Sequence, residues 1–133
     1  MTADPRVTLA HFKSITMAVD IKSAGHYQWG KGCDGWHFLK SDSLSVIRER
    51  MPSNTSEQLH YHERAQQFFY VIAGEATFEV DGELTTVVAD QGLHISAGTK
   101  HRISNLGKVD LEFLVISEPK SHGDRINLKD NKS

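Results

Sequence analysis

From Trp36 onward, short runs of Val, Ile, Leu, Phe and Tyr alternate with clusters of Gly, Asp, Asn, Pro and Ser. Period-two alternation bounded by turn residues marks strands, and many short strands in succession point to an all-β sandwich or barrel. The predicted strands are Trp36–Leu39, Leu44–Met51, Leu59–His62, Phe68–Ala73, Ala76–Val80, Leu84–Ala89, Leu93–Ile95, Arg102–Ser104 and Leu111–Ser117. Asp81-Gly82 is the strongest turn signal, because two adjacent residues that tolerate positive φ favour a type I′ hairpin between Ala76–Val80 and Leu84–Val88. No helix longer than two turns is predicted after residue 36.

The two ends read differently. Residues 1–35 form a weakly patterned extension. Val7–Val19 suits an irregular edge strand or a short helix, and the glycine-rich stretch Gly25–Gly35 reads as a loop. Residues 36–118 make up the predicted barrel. Residues 119–133 form a polar tail expected to lie along the surface or fray.

Composition narrows the class. A chain of 133 residues fits one domain, and its 38% apolar and 24% charged residues are those of an ordinary soluble globular protein. A net charge of -2 offers no electrostatic reason to expect nucleic acid or an anionic membrane as partner. The N-terminus has no apolar core followed by a cleavage site, and no apolar run is long enough to span a bilayer. The single cysteine, Cys33, excludes an intramolecular disulfide and points to a reducing, cytoplasmic setting. The apolar strand faces exceed what one small barrel can bury, which predicts a homodimer.

Eight histidines are many for this length. In His60-Tyr61-His62, strand alternation turns both imidazoles to one face with their tips close together, as two ligands of one ion require. Gln67 and Gly74 follow, and further on stand Gly98, His101 and Asn105. This arrangement resembles the cupin superfamily, whose first motif is His-x-His, three or four residues, Glu, six residues, Gly. The second is Gly, five residues, Pro-x-Gly-x-x-His-x-x-x-Asn. His60–Gly74 matches the first except at Gln67, and Gly92–Asn105 matches the second loosely, with Ser96 in place of Pro.

The resemblance, over about residues 40 to 117, implies a double-stranded β-helix (a jelly-roll barrel) binding one divalent metal. It makes His60, His62, Gln67 and His101 the ligands, with Gly74 and Gly98 in tight turns and Asn105 closing the turn after the His101 strand. Zn, Fe, Ni and Mn are the metals to expect of such a set. Gln66 is the rival fourth ligand, but from it Gly74 falls one residue too far. Alternation turns Glu63 away from the site.

The implied function is that of a metalloenzyme of dioxygenase, isomerase or lyase type acting on a small anionic molecule. The alternative is a non-catalytic small-molecule or sugar-binding module. Glutamine brings a neutral carbonyl oxygen where glutamate would bring a charge, so the ion keeps its full charge and favours an anionic ligand. Phe69 and Val71 share the face of Gln67 and would line the barrel beside the ion. Arg48 and Arg50 share a face, and if they point inward they would clamp a carboxylate or phosphate, whereas Arg102 faces away from His101. Tyr61 and Tyr70 lie off the metal face. His94 reads either as a support for the ligands or as a surface residue. Trp29, Trp36 and His37 are candidates for a lid or a dimer contact. Cys33 has no neighbouring base and is not proposed as a nucleophile.

Overall fold

The computed structural model describes residues 17–129. Most of the Val7–Val19 element therefore lies outside the described residues. Twelve strands follow in order: β1 Gly25–Trp29, β2 Cys33–Lys40, β3 Ser45–Met51, β4 Thr55–Ser56, β5 His60–His62, β6 Gln66–Ala73, β7 Glu75–Val80, β8 Glu83–Val88, β9 Gly92–Ile95, β10 His101–Asn105, β11 Leu111–Glu118 and β12 Arg125–Asn127. Among the described residues there is no helix, and none is long and apolar enough to cross a membrane.

The strands form two sheets, β1-β2-β3-β11-β6-β9 and β12-β5-β10-β7-β8, with β4 pairing to β10. All pairings are antiparallel. The inner faces meet over Phe69, Phe78 and Phe113, with ring centroids 5.0 Å apart for Phe69–Phe78 and 5.9 Å for Phe69–Phe113. Met51, Val71, Ile103 and Leu111 complete this core. Burial alternates along β11 from Leu111 to Ser117, as expected for a strand with one face on a core.

The turns follow their chemistry. Asp81 and Gly82 take φ of 49° and 85°, the two positive values a type I′ hairpin needs. Gly74 has φ of 83°, and a Cβ there would sit 2.5 Å from the Asp110 carbonyl oxygen, so only glycine fits. Asn105 is a clasp. Its Nδ2 donates to the Met51 and Val109 carbonyls at 2.8 and 2.9 Å, and its Oδ1 accepts from the Gly107 amide at 3.0 Å.

Two departures from the sequence reading matter for the site. The Gly25–Gly35 stretch is no simple loop. It forms β1, a turn in which Gly30 and Gly32 take positive φ, and the start of β2. The polar tail contributes a strand, because β12 pairs with β5 in the register Arg125↔His62, Ile126↔Tyr61, Asn127↔His60. Both segments were hidden by their composition. They are strands because a sheet edge was there to receive them.

Candidate metal centre

His60 and His62 stand on β5, and His101 opens β10 directly opposite His60 in the ladder. Alternation sends all three rings inward, where they are 2%, 5% and 1% exposed. Ring centroids lie 4.3 Å apart for His60–His101, 5.0 Å for His60–His62 and 6.0 Å for His62–His101. One ligand nitrogen from each ring lies within 4.8 Å of the others. Gly98 supports this convergence, since its amide donates to the His62 carbonyl at 2.7 Å and anchors the turn before His101.

The hydrogen bonds set the tautomers. His60 Nδ1 donates to the Gln58 carbonyl and His101 Nδ1 to the Thr99 carbonyl, both at 2.8 Å. Each neutral ring then carries its lone pair on Nε2. Gln67 enters from the other sheet. Its Nε2 donates to Ser117 Oγ at 3.0 Å, leaving Oε1 3.2 Å from His101 Nε2. Two lone-pair atoms thus face each other in a buried place, an arrangement that a cation between them relieves. The opposite amide orientation would donate to His101 and close this position. His62 Nδ1 is buried without a hydrogen-bond partner among the described residues.

Burial pushes His60 down to about 3, with Arg125 and His101 adding repulsion, and pushes His62 down to about 4, with His101 and Arg125 adding to it. Burial lowers His101 as well. Neutral imidazoles and an amide oxygen make a donor set that fits a divalent transition ion. Because protons compete for His60 and His62 only near 3 and 4, and burial lowers His101 as well, cobalt or zinc affinity should change by less than about threefold between pH 6 and pH 5. A titration showing a tenfold or steeper fall over that interval would contradict the burial argument.

Gln67 is thus the glutamine that faces the histidines. Gln66 lies on the outer face, donating to Glu118 at 2.8 Å and meeting His94 Nε2 at 2.9 Å, so His94 is a surface partner. Glu63 is exposed. Phe69 is buried with its ring centroid 6.2 Å from that of His101. Tyr70 donates to Asp90 at the surface, 2.9 Å away.

Arg48 and Arg50 do not reach the interior. Arg48 pairs with Glu112 at 2.7 Å, and Arg50 binds Asp34 and, at 3.1 Å, Asp110. On β3 the inward residues are Ser45, Ile47, Glu49 and Met51, the phase set by the apolar Ile47 and Met51, and this sends both arginines outward. Arg102 is also on the outer side, 3.0 Å from Glu79.

His60 and His62 open onto a cavity of about 390 Å³ lined by Trp29, Phe69 and Val115 and by four polar residues outside the motifs: Tyr27, Glu49, Glu57 and Arg125. Glu57 accepts the Ile103 amide at 3.1 Å and lies 3.9 Å from His60 Nδ1 and 3.7 Å from Arg125 Nη1. Burial pushes its carboxyl up to about 7 against the pull of Arg125. Arg125 is the cavity's arginine, and it arrives on β12. Trp29 Nε1, in the same wall, is buried without a partner among the described residues. The signal for Glu49 was its place between Ile47 and Met51, a carboxylate in the apolar phase of a strand. Nothing local marked Tyr27 or Arg125.

Comparison with known proteins agrees with this geometry. A family model described as cupin domain matches residues 47–117. A Thermotoga maritima protein named oxalate-binding protein is 33% identical over 85 residues, covering 60% of this chain and 70% of that protein. A T. maritima crystal structure described as a predicted oxalate decarboxylase superposes with a TM-score of 0.71 at 26% identity, over 78% of this chain and all of that one. The polyketide cyclase RemF from Streptomyces resistomycificus reaches a TM-score of 0.76 over 89% of both chains, and at 16% identity this is a likeness of fold alone. With a closed pair of sheets, the His60/His62/His101 cluster and the family match over most of its strands, the chain belongs to the cupin family.

Proposed function

We propose that this protein is a divalent-metal-dependent enzyme acting on a small anionic organic molecule. The observation that carries the reading is the meeting of three buried, neutral histidines with the Gln67 carbonyl oxygen at the floor of a cavity. That donor set brings no negative charge, so a bound dication keeps its charge and selects an anion to balance it. Such an ion would supply Lewis acidity, or oxygen activation in the case of iron.

The chain's own residues would do the rest. Arg125 offers a cation to a carboxylate, and Trp29 Nε1 a donor with no acceptor among the described residues. Phe69, Ile103 and Val115 keep the inner wall apolar, which strengthens these contacts by excluding water. The volume suits a molecule of few carbon atoms. A homodimer is the assembly we propose.

A second reading, a non-catalytic binding module, is favoured by the Thermotoga relative's name. The test is elemental analysis of protein purified without added metal, followed by assays on a panel of small acids and phenols. Iron with oxygen uptake indicates a dioxygenase, and zinc, nickel or manganese with oxygen-independent turnover an isomerase or lyase. Metal-free protein whose melting temperature rises with oxalate sinks the enzyme reading in favour of the module.

A further inference from the structure

We propose that Glu49 is the group that takes a proton from, and returns it to, a substrate held at the histidine centre, with Tyr27 as its positioning residue. This rests on the metalloenzyme reading and narrows it to proton-transfer chemistry on a small carboxylate or enolisable carbonyl compound.

The argument begins with a row of residues across three strands. Tyr27 on β1 pairs with Gly35 on β2, and Gly35 pairs with Glu49 on β3. Neighbours in register project to the same face, so Tyr27 and Glu49 both face the cavity with the bare backbone of Gly35 between them. A Cβ on Gly35 would lie 2.2 Å from Tyr27 Cζ. The missing side chain lets the phenol lie flat over β2 and reach the next strand, where its hydroxyl donates to Glu49 Oε2 at 3.0 Å.

Oε1 of Glu49 has no hydrogen-bond partner among the described residues, and the side chain lines the same cavity as His60 and His62. The surface ion pairs of this sheet, Arg48–Glu112 and Arg50–Asp34, lie on the opposite face. Among the described residues Glu49 forms no salt bridge, and Arg125 acts on it only from a distance. The charged and titratable groups around it are Tyr27 from β1, Cys33 from β2, Glu57 after β4, His60 and His62 from β5 across the cavity and Arg125 from β12, with His37 packed on Tyr27 and His122 on His37.

Burial and the nearby Glu57 push the Glu49 carboxyl up to about 8, while the Tyr27 hydrogen bond and Arg125 pull the other way. A carboxyl poised there exchanges a proton in either direction near neutrality. The step needs no further reagent. The C–H bond beside the substrate carbonyl breaks, its proton passes to Glu49 Oε1, and the electron pair moves onto the carbonyl oxygen. In an α-hydroxy carbonyl compound, return of the proton to the former carbonyl carbon, while the hydroxyl proton passes to the enolate oxygen, completes an isomerisation. Expulsion of a β-hydroxyl, which takes up the proton and leaves as water, completes an elimination.

The experiment follows deuterium wash-in from heavy water into a panel of small hydroxy- and oxo-carboxylates, on metal-loaded wild type, Glu49→Gln, Glu49→Asp and Tyr27→Phe. Metal stoichiometry and the infrared titration of the Glu49 carboxyl are measured alongside. Wild type is expected to exchange, Glu49→Gln to lose at least a hundredfold with metal content unchanged, and Glu49→Asp to recover part of the loss. Tyr27→Phe, losing a hydrogen bond that favours the anion, should move both the carboxyl titration and the acidic limb of the exchange profile, where Glu49 takes up its proton, to higher pH. A purely structural tyrosine would move neither. Exchange that survives Glu49→Gln within threefold, or a Glu49 that titrates as an exposed carboxylate, overturns the proposal alone. Protein that binds metal but exchanges with no member of the panel overturns it too, and protein that binds no metal overturns the reading beneath it.

Discussion

His101→Ala lowers the affinity for a divalent cation at least about a hundredfold, since even residues that only support metal ligands are worth ten- to a hundredfold. The ring is 1% exposed and packs between His60 and Phe69, so no other side chain swings into its place. Its removal also leaves Gln67 Oε1 facing an empty volume, without the neighbour beside which it would serve as a fourth donor. Calorimetric titration with zinc or cobalt reads this directly. Heat denaturation reads it a second way. At a metal concentration a hundred times Kd, binding stabilises by about 2.7 kcal/mol. For a domain of this size that raises Tm by roughly 10 °C. Wild type should show this rise and His101→Ala should not. A variant that still melts higher with metal would mean that the cation sits elsewhere.

Gln67→Glu has the opposite sign. The new carboxylate puts a negative charge where the amide oxygen now faces His101, so metal affinity should rise about tenfold or more. Ser117 is no obstacle, because its hydroxyl, which accepts from Gln67 Nε2, can rotate to donate to a carboxylate. In the metal-free protein the same charge is buried near Glu49 and Glu57 and is destabilising. The variant should therefore melt lower than wild type without metal and gain more on loading. Titration and paired melting curves check both halves, and an affinity that is unchanged or lower would refute the view that the natural glutamine preserves the ion's charge. Under the proposed function, the natural residue would exchange grip for Lewis acidity and leave a stronger pull on an anionic ligand.

These expectations concern residues that a reader of the sequence finds at once, because His60 and His62 share a strand face and His101 follows a glycine turn. Arg48 and Arg50 show where such reading stops. Alternation establishes that they share a face, but which face depends on where Ile47 and Met51 are buried, and that is decided by the opposing sheet. Glu49 was legible in the same alternation, as the charged residue in an apolar phase. Its partner was not, because Tyr27 lies 22 positions away and meets it across a third strand.

By itself, then, the amino-acid order determined the β-class, most strand positions, the Asp81-Gly82 hairpin, the tight turns at Gly74 and Gly98 and the histidine set. The first four rest on period-two alternation or on glycine's access to positive φ, which are local, and the histidine set rests on the spacing of His60 and His62 together with the resemblance to the cupin motifs, which brings in His101. Tertiary structure alone decided that Gly25–Gly35 and the tail become strands, that Arg125 rather than Arg48 or Arg50 enters the cavity, and that Tyr27 crosses Gly35 to reach Glu49. Those outcomes depend on register between strands distant in sequence. Register is set where two sheets bury their apolar faces together, and no short window of sequence contains both sides of that contact.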